Sequence, residues 1–112
     1  MSHRVERLNE LFRRELSRLL LGELKDPRLS GVRVTDVRTA SDLSYATVYL
    51  RAEGDLDEAI EGFERAAGFI RRELGRSLHL RKIPEFRFEV DETLEHAARI
   101  EELLRQARET ES

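Results

Sequence analysis

The segment from Phe63 to Leu80 carries an apolar stripe and an arginine stripe on opposite sides of one predicted helix. At 100° per residue, one side collects the apolar residues Phe63, Ala67, Ile70, Leu74 and Leu78. The other side collects Arg65, Arg72, Arg76 and His79, within about 60° of one another. The pattern predicts an amphipathic helix that lies on a core, interrupted once at Ala66-Ala67-Gly68.

Positive charge is concentrated around this helix. The chain of 112 residues has a net charge of −3, yet residues 65–82 hold six basic residues and a single acid, Glu73. Arg71, Arg81 and Lys82 flank the stripe. Guanidinium groups suit bidentate phosphate contacts, and the stripe has few carboxylates at helical spacing to pair with. It therefore predicts contact with a nucleic-acid backbone, and a solvated helix face is the alternative.

Composition and length limit the other possibilities. The chain is long enough for one domain, which we place at residues 1–108, with residues 109–112 frayed. It has no cysteine, no apolar run long enough to cross a bilayer and no signal sequence at its first residues. We expect a soluble cytoplasmic protein, monomeric and without a cofactor or a membrane partner.

The periodicity predicts the element order α-β-β-α-α-β-α, a two-layer α+β sandwich with a three-stranded sheet. The first helix covers about residues 3–24 and carries a second arginine stripe, Arg7, Arg14 and Arg18, opposite its apolar face. Strands are predicted at 31–37, with a bulge or a face change near Asp36, at 45–51 and at 86–90. A helix covers 56–80, interrupted at Gly68, with Asp55 or Asp57 as its cap.

A last helix is expected after Asp91, which can cap it. The apolar residues of that helix fall on one face: Leu94, Ala97, Ile100, Leu104 and Ala107.

Gly68 has two explanations. Glycine inside a helix costs about 1 kcal/mol relative to alanine, so some structural reason is expected. Either the backbone packs closely against a neighbouring element there, or a kink lets a phosphate approach the second half of the helix.

Catalytic patterns are absent from the sequence. No nucleophile, phosphate-binding glycine loop or paired acid and base stands at a useful spacing. Glu92 and His96 lie four residues apart and could in principle bind a metal, but a surface pair is the ordinary explanation. We predict no catalytic residues and no metal site.

Several segments together resemble the bacterial ribosome-binding factor A family over residues 4–105. The matching segments are residues 25–29 (KDPRL), 41–49 (SDLSYATVY), 66–71 (AAGFIR), 81–86 (RKIPEF), 91–93 (DET) and 99–100 (RI). Several are ordinary alone, and their order and spacing together are specific.

The resemblance implies a KH-like fold of the second type, in which an Ala-x-Gly kink, here Ala66-Ala67-Gly68, replaces the usual Gly-x-x-Gly loop. It also implies binding to the immature 30S subunit, assistance in 16S rRNA processing and maturation, and a role in cold adaptation. The predicted RNA-binding residues are Arg65, Arg71, Arg72, Arg76, Arg81, Lys82, Arg7, Arg14 and Arg18. A protein-interaction module whose arginine stripe binds an acidic partner is the alternative function.

Overall fold

The structure is a computed structural model that describes residues 3–111, apart from the side chains of residues 94–99, 110 and 111. Its elements are α1 (His3–Gly22), a short 3-10 helix (Pro27–Leu29), β1 (Arg33–Thr39), β2 (Tyr45–Arg51), α2 (Leu56–Arg65), α3 (Ala67–Leu78), β3 (Glu85–Val90) and α4 (Thr93–Glu111). The predicted order and the KH-like α+β class are confirmed. Four bounds differ by two residues: α1 ends at Gly22, β1 begins at Arg33 and ends at Thr39, and α3 ends at Leu78.

The sheet has the order β1-β2-β3, so β2 is central. β1 and β2 pair antiparallel, whereas β2 and β3 pair parallel through the crossover formed by α2 and α3. The register shifts between Val34 and Asp36, which confirms the predicted bulge.

Helices α1, α2 and α3 cover one face of the sheet. Phe12 of α1 and Phe63 of α2 are both fully buried. The Phe12 ring meets Phe86 edge to face, with the ring centres 5.4 Å apart, and Phe63 stacks on Phe88 at 4.8 Å. These contacts join both helices to β3, whose alternate side chains face solvent on the opposite side of the sheet.

Asp side chains fix the start of two elements, as expected at Asp55 and Asp91. Asp55 accepts hydrogen bonds from the backbone N–H groups of the first turn of α2. Asp91 accepts from the N–H of Thr93 at 2.9 Å and from the hydroxyl of Thr35 on β1 at 2.5 Å. These hydrogen bonds, with Thr35 the larger cause, lower the pKa of Asp91 to about 2. The carboxylate thereby ties the end of β3 to β1.

The interruption of the central helix lies inside the predicted motif but at Ala66, not at Gly68. Ala66 has φ −86° and ψ 0°, ends α2 and begins α3. A Cβ at Gly68 would meet only the Arg72 guanidinium, at 4.0 Å, so close packing does not explain this glycine. Close packing occurs at Gly62 instead, where a Cβ would lie 3.1 Å from the buried Leu29 side chain.

Helix α4 does not join the helical layer through the apolar residues that the structure describes. Ile100, Leu103 and Leu104 are each about half exposed. The helix continues past Arg108 to Glu111, and the molecule measures 60 Å along its longest axis. No helix within residues 3–111 is long and apolar enough to cross a membrane.

Candidate nucleic-acid interface

A groove with four cationic residues lies between the first half of α1 and the loop that follows α3. Its rim carries Arg4 and Arg7 from α1 and Arg81 and Lys82 from the loop, and its volume is about 580 Å³. No carboxylate residue of the described chain lines it. We call this the cationic groove. It brings basic residues of α1 and of the segment after α3 side by side, which the sequence could not establish.

The floor of the cationic groove is apolar. Leu8 and Phe12 form its buried base, whereas Leu11 is 37% exposed. Leu43, from the turn between β1 and β2, and Leu80, after α3, are half-buried there. The groove therefore offers two kinds of surface, a charged rim and an apolar floor.

Two residues of this groove hold a left-handed backbone. Leu43 has φ 63° and His79 has φ 53°, and these are the non-glycine residues with positive φ within residues 3–111. His79 ends α3 in this conformation. Residues other than glycine and asparagine rarely adopt this left-handed conformation, because their Cβ atom crowds the backbone.

The second arginine stripe lies along α1 towards α3. Arg18 donates to the hydroxyl of Ser77 at 3.4 Å, which shows that the two helices are neighbours. Arg7 and Arg14 are exposed, and neither has an ion pair within the described part of the chain. Arg18 differs, because Glu15 and Glu23 lie 2.9 and 3.5 Å from it.

The expectation that the arginine stripe lacks carboxylate partners is wrong for two of its members. Arg76 pairs with Glu73 at 2.7 Å, and Arg65 pairs with Glu61 at 3.7 Å. Glu73 lies three residues before Arg76, outside the four-residue spacing on which the expectation was based, whereas Glu61 does lie four residues before Arg65. Arg72 has no ion pair among the described residues.

The stripe is also divided. Arg65 ends α2, before the break at Ala66, so the 100° progression that aligned it with Arg72 does not hold. Its charge helps to lower the pKa of Asp26, although the hydrogen bonds from Arg28 are the larger cause. Arg65 thus lies near the carboxylates beside the 3-10 helix, apart from the cationic groove.

Arg71 faces a different groove, between the start of α3 and the outer edge of β3. Its guanidinium donates to the carbonyl of Ile83 at 3.4 Å. The groove has a volume of about 490 Å³ and its charged lining residues are Glu64, Arg71, Glu85, Arg87 and Glu89. We call it the edge groove.

Ala67 and Gly68 of the kink motif line the edge groove, at the start of α3, where no described side chain caps the helix. On β3, the N–H groups of Glu85 and Asp91 point inward to β2. By the two-residue period, the backbone groups of Phe86 and Phe88 point outward into the groove. The edge groove therefore offers uncharged backbone donors and acceptors beside its charged side chains.

Sequence reasoning missed the groove residues Arg4, Leu11 and Leu80. Arg4 lies three residues before Arg7, and this helical spacing was the available signal. Leu11 lies between Arg7 and Arg14 on the same stripe, so an apolar residue on a charged face was the signal there. Leu80 follows the end of α3, so the helical periodicity cannot predict the direction of its side chain.

Another cavity, about 1040 Å³, lies at the other end of α1. Its cationic residues alternate with Asp26 and Glu53, so it does not concentrate charge of one sign. Within the described residues, no group of His, Asp and Glu could hold a metal ion. The side chain of His96, considered with Glu92 above, lies outside the described residues.

Comparison with known proteins identifies the family. The sequence profile of ribosome-binding factor A matches residues 4–104. The chain belongs to the ribosome-binding factor A family. The factor from Halothermothrix orenii is 42% identical over 111 residues, which cover 96% of this chain and 91% of that protein. The factor from Acetivibrio thermocellus is 46% identical over 105 residues, which cover 90% of this chain and 85% of that protein.

Solved structures of ribosome-binding factor A are similar to this fold. The crystal structure from Thermus thermophilus has a TM-score of 0.72 and 28% identity, covering 77% of this chain and 94% of that one. A homology model of the Thermus thermophilus factor, fitted into a cryo-electron microscopy map of a 30S complex, has a TM-score of 0.59 and 29% identity. It covers 73% of this chain and 93% of that one.

Proposed function

We propose that this protein is a non-enzymatic ribosome assembly factor that binds the immature 30S subunit and assists processing and maturation of its 16S rRNA. It contacts rRNA phosphates through the cationic groove and the neighbouring arginines of α1 and α3. Family membership supports the proposal, as does the complex of the Thermus thermophilus factor with the 30S subunit. The observation that carries the RNA contact is the rim of four cations without a carboxylate among its described lining residues.

The charge arrangement suits a polyanion. Each phosphate that a protein neutralises releases condensed counterions, which raises the affinity for nucleic acid. Cations without an ion pair in the protein therefore contribute more to this affinity than cations that already pair with a carboxylate. Six exposed members of the predicted set have no ion pair among residues 3–111: Arg7, Arg14, Arg71, Arg72, Arg81 and Lys82. Arg71 and Lys82 each donate to a backbone carbonyl, whereas within the described residues Arg7, Arg14, Arg72 and Arg81 do not. We place the main phosphate contacts on these last four arginines. Arg18, Arg65, Arg71, Arg76 and Lys82 extend the surface with weaker contributions.

The acidic segment 53–64 lies between β2 and the kink, away from the cationic groove. Its carboxylates repel phosphate and limit binding to unrelated RNA. In this proposal the protein acts in the cytoplasm as a monomer, without a cofactor, and its assistance to folding rRNA matters most in the cold, where wrong RNA pairings persist.

A charge-reversal pair tests the assigned surface. Arg7→Glu with Arg81→Glu places two acids on the rim, and we expect co-sedimentation with 30S precursors to fall at least tenfold. The matched control is Arg33→Glu with Arg38→Glu on β1, which makes the same charge change on exposed residues outside the groove. Circular dichroism checks that both variants fold.

Equal binding by the groove variant and the wild type would exclude this surface. Treatment with ribonuclease separates the alternative function: association that survives digestion of the RNA would indicate an acidic protein partner. Association that is lost on digestion, and that weakens steeply with salt, supports rRNA contact.

A further inference from the structure

We propose that the cationic groove binds one unstacked nucleotide of a single-stranded RNA segment, with the base on the apolar floor and the flanking phosphates on the rim. The inference rests on the proposed function, because it names the form of RNA that this surface takes.

The apolar floor is the first argument. Leu11 and Leu80 expose apolar surface between cations, and the buried Pro84 also lines the groove. A phosphate group makes no favourable contact with such an apolar surface. A duplex keeps its bases stacked inside and presents phosphates and sugars outward, so it would leave the floor in water. A single strand can turn a base out onto the floor.

The placement of the cations is the second argument. Arg4 and Arg7 stand on the α1 side of the floor, whereas Arg81 and Lys82 stand on the loop side. A nucleotide in a single strand repeats this order, because its base lies between two phosphates. The groove volume, about 580 Å³, falls within the range of sites that hold small organic ligands, about 300–1,000 Å³.

The backbone supplies the third argument. The two residues with left-handed φ, Leu43 and His79, come from different loops and line this same groove. Sparsely populated backbone conformations persist where the surrounding structure holds them, and they cluster at ligand sites. Here they place the Leu43 side chain in the floor and the His79 imidazole at its edge.

An acidic peptide is the competing occupant, and the charge alone would suit it. Family membership favours the nucleotide, because a ribosome-binding factor acts on a particle that contains RNA.

The test uses matched leucine variants of α1. Leu11→Ser removes apolar floor, and Leu21→Ser makes the same change at the other end of the helix, where the side chain is 91% exposed. Fluorescence anisotropy measures binding to a 12-nucleotide oligouridine and to a 12-base-pair RNA duplex. We expect Leu11→Ser to weaken oligouridine binding about fivefold and to leave duplex binding within twofold. Leu21→Ser should change neither.

A second measurement uses the unaltered protein. Photocrosslinking of oligouridine that contains 4-thiouridine should label peptides that hold residues 4–11 or 79–84. Labelling confined to other peptides would overturn the inference.

Three binding results would also overturn it. The first is an equal fall in oligouridine and duplex binding with Leu11→Ser, and the second is no fall in either. The third is a tighter affinity for a Glu/Leu decapeptide than for oligouridine. In each case, salt-dependent RNA binding that Arg7→Glu with Arg81→Glu abolishes would leave the proposed function standing, whereas no RNA binding at all would remove both.

Discussion

The cationic groove and the edge groove both border α3, and they differ in charge. Among the described residues, the first has four cations and no lining carboxylate, whereas Glu64, Glu85 and Glu89 outnumber the two arginines of the second. Affinity for nucleic acid comes largely from neutralised phosphates. We therefore expect an exposed arginine such as Arg71 to bind phosphate less tightly where carboxylates surround it.

The grooves also differ in what else they offer. The cationic groove has an apolar floor, whereas the edge groove has the outward-facing backbone of β3 and the start of α3, which no described side chain caps. Backbone groups hydrogen-bond with direction but carry no net charge. We infer that the cationic groove supplies affinity, and that the edge groove can supply directional contacts once RNA is held nearby.

The largest change in RNA affinity should come from reversing the net charge of the edge groove. Glu85→Lys with Glu89→Lys changes the edge groove by four charges on exposed positions of β3. If charge alone separates the two grooves, affinity for oligouridine should rise about tenfold in low salt, with a steeper salt dependence. The matched control is Glu101→Lys with Glu109→Lys on α4. A similar rise in the control would show a response to net charge only.

Gly62 of α2 and Gly68 of α3, which lines the edge groove, should respond differently to alanine. Gly62→Ala pushes a methyl group against Leu29 and should destabilise the fold by about 1 kcal/mol or more. Gly68→Ala enters open space and gains helix propensity, so it should be stabilising by up to about 1 kcal/mol. Urea unfolding measures both. Equal destabilisation would mean that α3 requires a glycine at Gly68.

His79→Gly tests the cationic groove in the same way. Glycine adopts the left-handed conformation without Cβ crowding, so the variant should be about 0.5–1 kcal/mol more stable. It also removes an imidazole from the groove edge, and we expect oligouridine affinity to fall two- to threefold. Thermal unfolding and anisotropy provide the two measurements. A variant that gains stability and keeps full affinity would assign His79 no part in binding.

The smallest effect concerns pH and the hydrogen bonds at the end of β3. Because the pKa of Asp91 is lowered to about 2 in the folded protein, from 3.8, its stabilising effect is present above about pH 4. That effect is lost as pH falls from about 4 to about 2. Asp91→Asn should therefore be less stable than the wild type near neutral pH, and the difference should shrink in strong acid. Urea unfolding across this range measures it, and a constant difference would contradict the assignment.

Local sequence pattern was sufficient for the elements and most of the core. The alternation of Phe86 and Phe88 with charged residues predicted both the strand and its buried face, because side chains of a strand alternate by construction. The bulge near Asp36 was predicted in the same way, because the alternation of buried residues in β1 slips between Val34 and Val37.

The sites were less predictable because they depend on contacts between distant residues. The helical projection aligned Arg65 with Arg72 only by assuming an unbroken helix, and Ala66 ends that helix. The sequence suggested close packing at Gly68, the glycine of the kink. The tight contact is instead at Gly62, against Leu29, which lies far earlier in the chain. No local pattern reports a partner at such a separation.

The walls of the cationic groove come from segments that are far apart in the chain. Residues 4–12 of α1 meet residues 79–84, and Leu43 reaches the same place from between β1 and β2. A chain still emerging during synthesis therefore has the arginines but not the groove. In the proposed function, RNA contact at this groove would therefore require that residues 79–84 have already packed beside α1.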